Sequence, residues 1–296
     1  MGTAVSEATV SEAAVSDAVS YGGFELGTVG ATLQRARDEG RAALIGYLPV
    51  GYPDVDGSIA AMEAMVAGGV DVVEVGLPYS DPVMDGPVIQ RAVDPAVRAG
   101  VGPRDVQRAV AALSALSAPA VVMSYWNPIE HYGVDRFAAD LAAVGGAGLI
   151  TPDLIPDEAG PWLAASAAHG LDRIFLVAPS STDARIAMTV GSCRGFVYAA
   201  STMGVTGTRA SVGSGAAQLV GRVRAIAPDA MVCVGLGVST GAQAAEVAQF
   251  ADGVIVGSAF VRCLLDAPDR ASGIQAIGDL AAELSAGVRR PRVASQ

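Results

Sequence analysis

From residue 42 onward the chain alternates short apolar runs with longer alanine-rich segments whose polar positions return every three or four residues. The apolar runs are Ala43–Leu48, Val70–Gly76, Ala118–Tyr125, Ala147–Thr151, Arg173–Ala178, Gly195–Ala200, Ala230–Gly235 and Gly253–Gly257. They are rich in Val, Ile and Leu and apolar on both faces. This pattern predicts strands of a parallel sheet covered by helices, because an antiparallel sheet with one wet face alternates apolar and polar residues. Helices are predicted at Ser58–Ala67, from Val88 onward, and at Arg104–Leu116, Val134–Val144, Asp157–Ala168, Thr182–Val190, Ala216–Ile226 and Gly241–Phe250. Several open on an Asp or Ser cap and close at glycine, as at Ala168-His169-Gly170. Thr28–Gly40 reads as an amphipathic helix ahead of the first strand, with Arg35, Arg37, Asp38 and Glu39 on its polar side.

Eight strands alternating with helices over about 250 residues predict an α/β fold of the closed (β/α)8 TIM barrel type, with one extra N-terminal helix. An open doubly wound sheet is the alternative, but no GxGxxG turn follows the first strand. The expected organisation is an acidic disordered extension over residues 1–26, a single barrel catalytic domain over 27–289 and a tail over 290–296. The extension lacks the basic start and apolar core of a signal peptide. Met1-Gly2-Thr-Ala-Val-Ser6 fits an N-acylation pattern, yet nothing basic or acylatable nearby supports a second anchor.

Composition narrows the chemistry. Hydrophobic residues make up 51% of the chain, but no apolar run approaches the roughly 20 residues that span a bilayer. A net charge of −11 disfavours nucleic acid and anionic membranes as main partners, and a cytoplasmic location is expected. All 19 cationic side chains are Arg, so no side-chain amine is available for a Schiff base or as a general base. With only His131 and His169, no site of three imidazoles can form, and no metal site is expected. Cys193, Cys233 and Cys263 are odd in number and lack CxxC spacing, so they read as reduced thiols.

Glu74 interrupts the second apolar run, and Asp85 lies in the loop that follows it. A carboxylate inside a buried strand costs several kcal/mol unless paired or protonated. Glu74 is therefore either an ion-pair partner of a buried arginine or a tuned proton-transfer group. Asp85 either caps the next helix or acts as the second, more solvated and more reliably anionic carboxylate. Asp81, before Pro82, fits a turn. Gly204-Val-Thr-Gly207, Gly235-Leu-Gly237 and Gly257-Ser258 follow the last three strands. Barrel enzymes commonly hold phosphate on backbone amides there, although glycine also simply makes tight turns. Thr206–Gly215 reads as either a lid or an ordinary loop. Tyr47, Tyr125 and Tyr198 stand near strand ends, where they line a flat pocket or belong to the core. His131, in a loop, and His169, at a helix end, are not expected to catalyse.

These motifs together resemble the tryptophan synthase α chain family. The most specific match is Val73-Glu-Val-Gly-Leu-Pro-Tyr-Ser-Asp-Pro-Val-Met-Asp-Gly-Pro87. Further matches are Gly51-Tyr-Pro-Asp54, Tyr125-Trp-Asn-Pro128, Pro152-Asp153, Ala178-Pro-Ser-Ser-Thr182 and the three glycine motifs. The similarity spans roughly residues 28 to 288. It implies a (β/α)8 barrel that cleaves indole-3-glycerol phosphate to indole and glyceraldehyde 3-phosphate. It also implies Glu74 as general acid/base and Asp85 as the partner of the indole N–H. Tyr47 and Tyr125 would border the indole pocket and Tyr198 would sit near Glu74, another substrate-binding position, with Thr206 closing against Asp85. Gly207, Gly237, Gly257 and Ser258 would hold the phosphate. The resemblance further implies no cofactor in this chain, a PLP-dependent β chain as partner in an αββα tetramer, and docking through Leu77–Gly86 and the lid. Tyr79 and Tyr47 replace the Phe expected in many members, and Leu48-Pro-Val50 departs from the usual pattern. The competing readings are a stand-alone indole-releasing lyase, a non-catalytic subunit that senses a phosphate ligand, and a phosphosugar isomerase or epimerase.

Overall fold

The computed structural model describes residues 24–116, 118–200, 214–235 and 237–290. Nine parallel strand segments lie among them: β1 (Ala43–Pro49), β2 (Val72–Gly76), β3 (Ala120–Met123), β4 (Gly148–Ile150), β5 (Asp172–Ile174), β6 (Leu176–Val177), β7 (Val197–Ala200), β8 (Val232–Gly235) and β9 (Gly253–Val256). Their order is β5-β4-β3-β2-β1-β9-β8-β7-β6, so the two ends of the sheet are neighbours in the chain. β5 pairs with β4, and β6 pairs with β7. Between them the Phe175 carbonyl accepts the Tyr198 N–H at 3.1 Å. These two segments are one stave that changes partner at Phe175, which closes an eight-stave barrel. The single strand expected over Arg173–Ala178 is corrected in this respect: its lower half serves one neighbour and its upper half the other.

The period of two along each strand separates two cores. Ala43, Ile45, Val72, Val121, Ile150, Ile174, Phe196, Met231, Cys233 and Ile255 fill the barrel interior. Leu44, Leu48, Val73, Val75, Val122, Val232, Val234 and Val254 face the helices. Glu74 and Tyr47 share the parity of Val72 and Ile45, so both point toward the barrel axis.

The helices around the barrel are α2 (Val55–Ala67), α3 (Pro87–Arg98), α4 (Pro103–Ser114), α5 (Trp126–Tyr132), α6 (Val134–Ala143), α7 (Gly160–His169), α8 (Asp183–Ser192), α9 (Ser214–Ile226), α10 (Gly241–Ala248), α11 (Ser258–Leu265) and α12 (Arg270–Val288). α2 starts before the expected Ser58 because the Asp54 carboxylate accepts the Gly57 N–H at 2.6 Å and caps it. The helix expected from Asp157 is instead a 3-10 turn at Pro156–Glu158 followed by α7, where Pro161 suits the first turn. α5, α11 and α12 were not anticipated. α5 is too short to show a period, and its Pro128 sits in the first turn. Among the described residues no helix is long and apolar enough to cross a membrane.

Helix α1 (Gly27–Asp38) plugs the N-terminal end of the barrel, where Val29, Leu33 and Ala36 join the interior core. Its start is held by the fully buried Asp172, which accepts the Val29 N–H at 2.7 Å and the Thr28 N–H at 3.2 Å. Gly27 is required here: φ is +60° and a Cβ would collide with the Asp172 carboxylate. Burial raises the Asp172 pKa, opposed by those amides and by Arg194 at 3.7 Å. Asp252, also buried, pairs with Arg37 at 3.0 Å and Arg224 at 3.1 Å. Asp71 pairs with Arg41 at 2.8 Å. The acids of this face therefore have arginine partners.

Candidate active site

Glu74 breaks that rule at the opposite end of the barrel. It lies in β2 between Tyr47 of β1 and Val121 of β3, with 1% of its surface exposed. Its Oε1 has no hydrogen-bond partner among the described residues. Burial alone pushes its pKa up to about 8. The reading of Glu74 as one half of a buried ion pair therefore finds no partner among those residues. A carboxyl in this state is a neutral acid at pH 7 and can give up its proton when a nearby base demands it.

Asp85 ends the loop after β2, next to Gly86, the cap residue of α3. Its side chain does not cap that helix. Its Oδ1 accepts the Tyr125 hydroxyl at 3.1 Å, and that same hydroxyl accepts the Met84 N–H at 2.9 Å. Asp85 is half-buried: desolvation raises its pKa, and the Tyr125 hydrogen bond works the other way. It nonetheless remains more accessible than Glu74.

The three tyrosines meet around these carboxyls. Tyr47 and Tyr125 are buried and Tyr198 is half-buried. Burial is the main reason the Tyr47 and Tyr198 phenols are held well above their ordinary pKa. The charges of Asp85 and Glu74 add to this for Tyr47, and that of Glu74 for Tyr198. Burial and Asp85 push Tyr125 in the same direction. Glycines make the room for the rings. A Cβ on Gly76 would lie 2.6 Å from the Tyr47 hydroxyl, and one on Gly235 would strike the Tyr198 hydroxyl. The motif glycines thus have a packing role that their spacing alone did not reveal.

Gly237, exposed and at φ +68°, follows β8. Gly257 follows β9 as the cap residue of α11, and Ser258 opens that helix directly after it, with both half-buried. Thr206, Gly207 and the lid up to residue 213 lie outside the described residues, as does nearly all of the acidic extension. Asp81 accepts the Ser80 hydroxyl at 2.5 Å on the surface, as a turn residue does. His131 lies in α5, not in a loop, and His169 in the last turn of α7; both are exposed. Among the described residues no group of His, Cys, Asp and Glu could hold a metal ion. Two neighbours had no assigned role. The Tyr79 ring packs 5.4 Å from that of Tyr125, and Asn127 Nδ2 donates to the Tyr79 hydroxyl at 3.2 Å. The only hint was their presence inside two of the family-like motifs, Val73–Pro87 and Tyr125–Pro128.

A parallel barrel with a buried carboxyl in its second strand, one oxygen of which has no partner among the described residues, and a second carboxylate in the next loop is a barrel enzyme equipped for proton transfer. The family model of the tryptophan synthase alpha chain matches residues 33–288. The chain is 64% identical over 259 residues to the tryptophan synthase alpha chain of Thermobifida fusca (strain YX), covering 87% of this chain and 96% of that one. It is 60% identical over 271 residues to that of Mycobacterium intracellulare, with 92% and 98% covered. Among solved structures, Mycobacterium tuberculosis tryptophan synthase in space group F222 matches with a TM-score of 0.83 at 60% identity, covering 89% of this chain and 98% of that one. The chain belongs to the tryptophan synthase alpha chain family: it is a lyase that cleaves indole-3-glycerol phosphate, the alpha subunit of a complex with a beta chain.

Proposed function

We propose that Glu74 and Asp85 divide the proton transfers of this cleavage. The observation that carries the assignment is the buried Glu74 carboxyl, with no partner for Oε1 among the described residues and a pKa pushed up to about 8. Carbon–carbon cleavage needs an electron sink, and the chain has no lysine to form one as an imine. The indole ring becomes the sink once C3 is protonated. Glu74, neutral at pH 7, gives its proton to C3 and forms the indolenine. Its carboxylate then takes the proton of the 3′-hydroxyl. As the bond between C3 and the glycerol carbon breaks, its electron pair returns to the ring as indole, and the hydroxyl-bearing carbon becomes the aldehyde of glyceraldehyde 3-phosphate. Glu74 ends protonated, as it began.

Asp85 accepts a hydrogen bond from the indole N–H and stabilises the positive charge that grows there. Tyr47 and Tyr125 border the ring, and Tyr198 sits near Glu74. Gly207, Gly237, Gly257 and Ser258 hold the phosphate on backbone amides and a hydroxyl, and Thr206 closes toward Asp85; the family resemblance supports these roles. PLP belongs to the beta chain, the assembly is an αββα tetramer in the cytoplasm, and indole passes between the subunits.

The test is indole release from indole-3-glycerol phosphate, with and without beta chain, by wild type, Glu74→Gln and Asp85→Asn. Each variant is expected to lose on the order of a hundredfold or more in kcat. Full activity in both would reject the two-carboxylate assignment, and a rate indifferent to beta chain would favour a stand-alone lyase.

A further inference from the structure

The hydroxyl of Tyr125 has a place that lining a ring pocket does not explain. It accepts the Met84 N–H at 2.9 Å and lies 3.1 Å from Asp85 Oδ1. An amide N–H can only donate, so the phenol oxygen is the acceptor on that side and its one proton is left for Asp85. The tyrosine itself is fixed. It is 5% exposed, caps α5, and packs against Tyr79, which Asn127 holds at 3.2 Å. The next residue, Trp126, has its N–H held by Asp153 at 3.0 Å. The loop it reaches is the opposite: Val83 is 77% exposed and Met84 44%.

We propose that Tyr125 is a positioning residue that ties the orientation of Asp85 to the conformation of the loop 77–86, through one hydroxyl that takes the Met84 N–H and donates to the carboxylate. The proposal rests on the reading of Asp85 as the group facing the indole N–H. A protein seated on Val83 and Met84 shifts the Met84 N–H, and the rigid phenol transmits that shift to Asp85. The same bond favours the charged form of Asp85 against its burial. The titratable groups facing Asp85 are Tyr125 at the start of α5 and Tyr47 on β1. Gln90 holds only its backbone carbonyl, and no arginine pairs with its carboxylate among the described residues.

Tyr125→Phe keeps the ring and removes the joint. Indole-3-glycerol phosphate cleavage by the full alpha chain is measured from pH 5 to 9, with and without beta chain, for wild type, Tyr125→Phe, Asp85→Asn and the double variant. A hydrogen bond to a charged group is worth enough for kcat to fall on the order of tenfold in Tyr125→Phe. KM should stay within about threefold, because the ring still borders the pocket. The acid limb of the kcat profile should move to higher pH, and the stimulation by beta chain should shrink. In the Asp85→Asn background the second substitution should add nothing, since the two act as one unit. An equal loss from Tyr125→Phe in both backgrounds, or an unmoved acid limb with full beta-chain response, would overturn the proposal. Wild-type activity in Asp85→Asn would instead reject the role of Asp85 itself.

Discussion

At the scale of single residues, Glu74 is where stability and chemistry pull apart. Its pKa is about 8 in the folded chain against an ordinary 4.5. Between those values the folded state keeps a proton that the unfolded state has released, so raising the pH removes stability across that window. Each unit of such a shift corresponds to about 1.4 kcal/mol, so the full effect is on the order of a few kcal/mol. Glu74→Gln is therefore expected to be more stable than wild type at pH 8.5, with the difference shrinking toward zero at pH 5. Urea denaturation at the two values measures this, and a difference independent of pH would contradict it. In wild type, kcat/KM should fall as pH rises through about 8, because the acid that protonates C3 is lost. That Glu74 was unusual could be read from one carboxylate inside Val72-Val-Glu-Val75. That it has no arginine partner among the described residues could not, since pairing depends on which Arg the fold brings near, and the buried acids that do have arginine partners, Asp172 and Asp252, lie at the other end.

At the scale of elements, the strands were legible because a doubly covered parallel strand leaves a nearly continuous apolar run, whereas α5 was not. Its seven residues make too few turns for a period, and its start depends on Asp153 of a different loop. The contact between Tyr125 and Asp85 joins positions 40 residues apart, and nothing local announces it. α1 was legible as a helix but not as the plug of the barrel. That docking rests on Asp172, whose carboxylate serves two amides at the start of α1. Asp172→Ala would leave those N–H groups unpaired in a buried place and cost about 2–4 kcal/mol. The denaturation midpoint should drop while KM for indole-3-glycerol phosphate, whose proposed site is at the other end of the barrel, stays unchanged. An altered KM with an unaltered midpoint would show that α1 is coupled to the site and not to the fold.

At the scale of the whole molecule, the two ends of the barrel carry different loads. The N-terminal end holds paired acids and a helical plug. The C-terminal end holds the buried Glu74 carboxyl, the tyrosines and the exposed loop bearing Val83 and Met84. Large apolar side chains in the open are informative when they sit together beside a site, and these two lie one and two residues from Asp85. The beta chain is the partner whose docking would cover them. Val83→Glu places a charge where an apolar contact is expected, so it should weaken binding of beta chain by tenfold or more, about 1.4 kcal/mol. The Val83 side chain is 77% exposed, so basal indole release by the isolated alpha chain should persist. Titration of the alpha chain with beta chain, followed by stimulation of indole release, measures both quantities in one experiment. Unchanged half-saturation would move the docking surface away from this loop. Lost basal activity would mean that the loop is held in its catalytic shape by Val83 itself, independently of any partner.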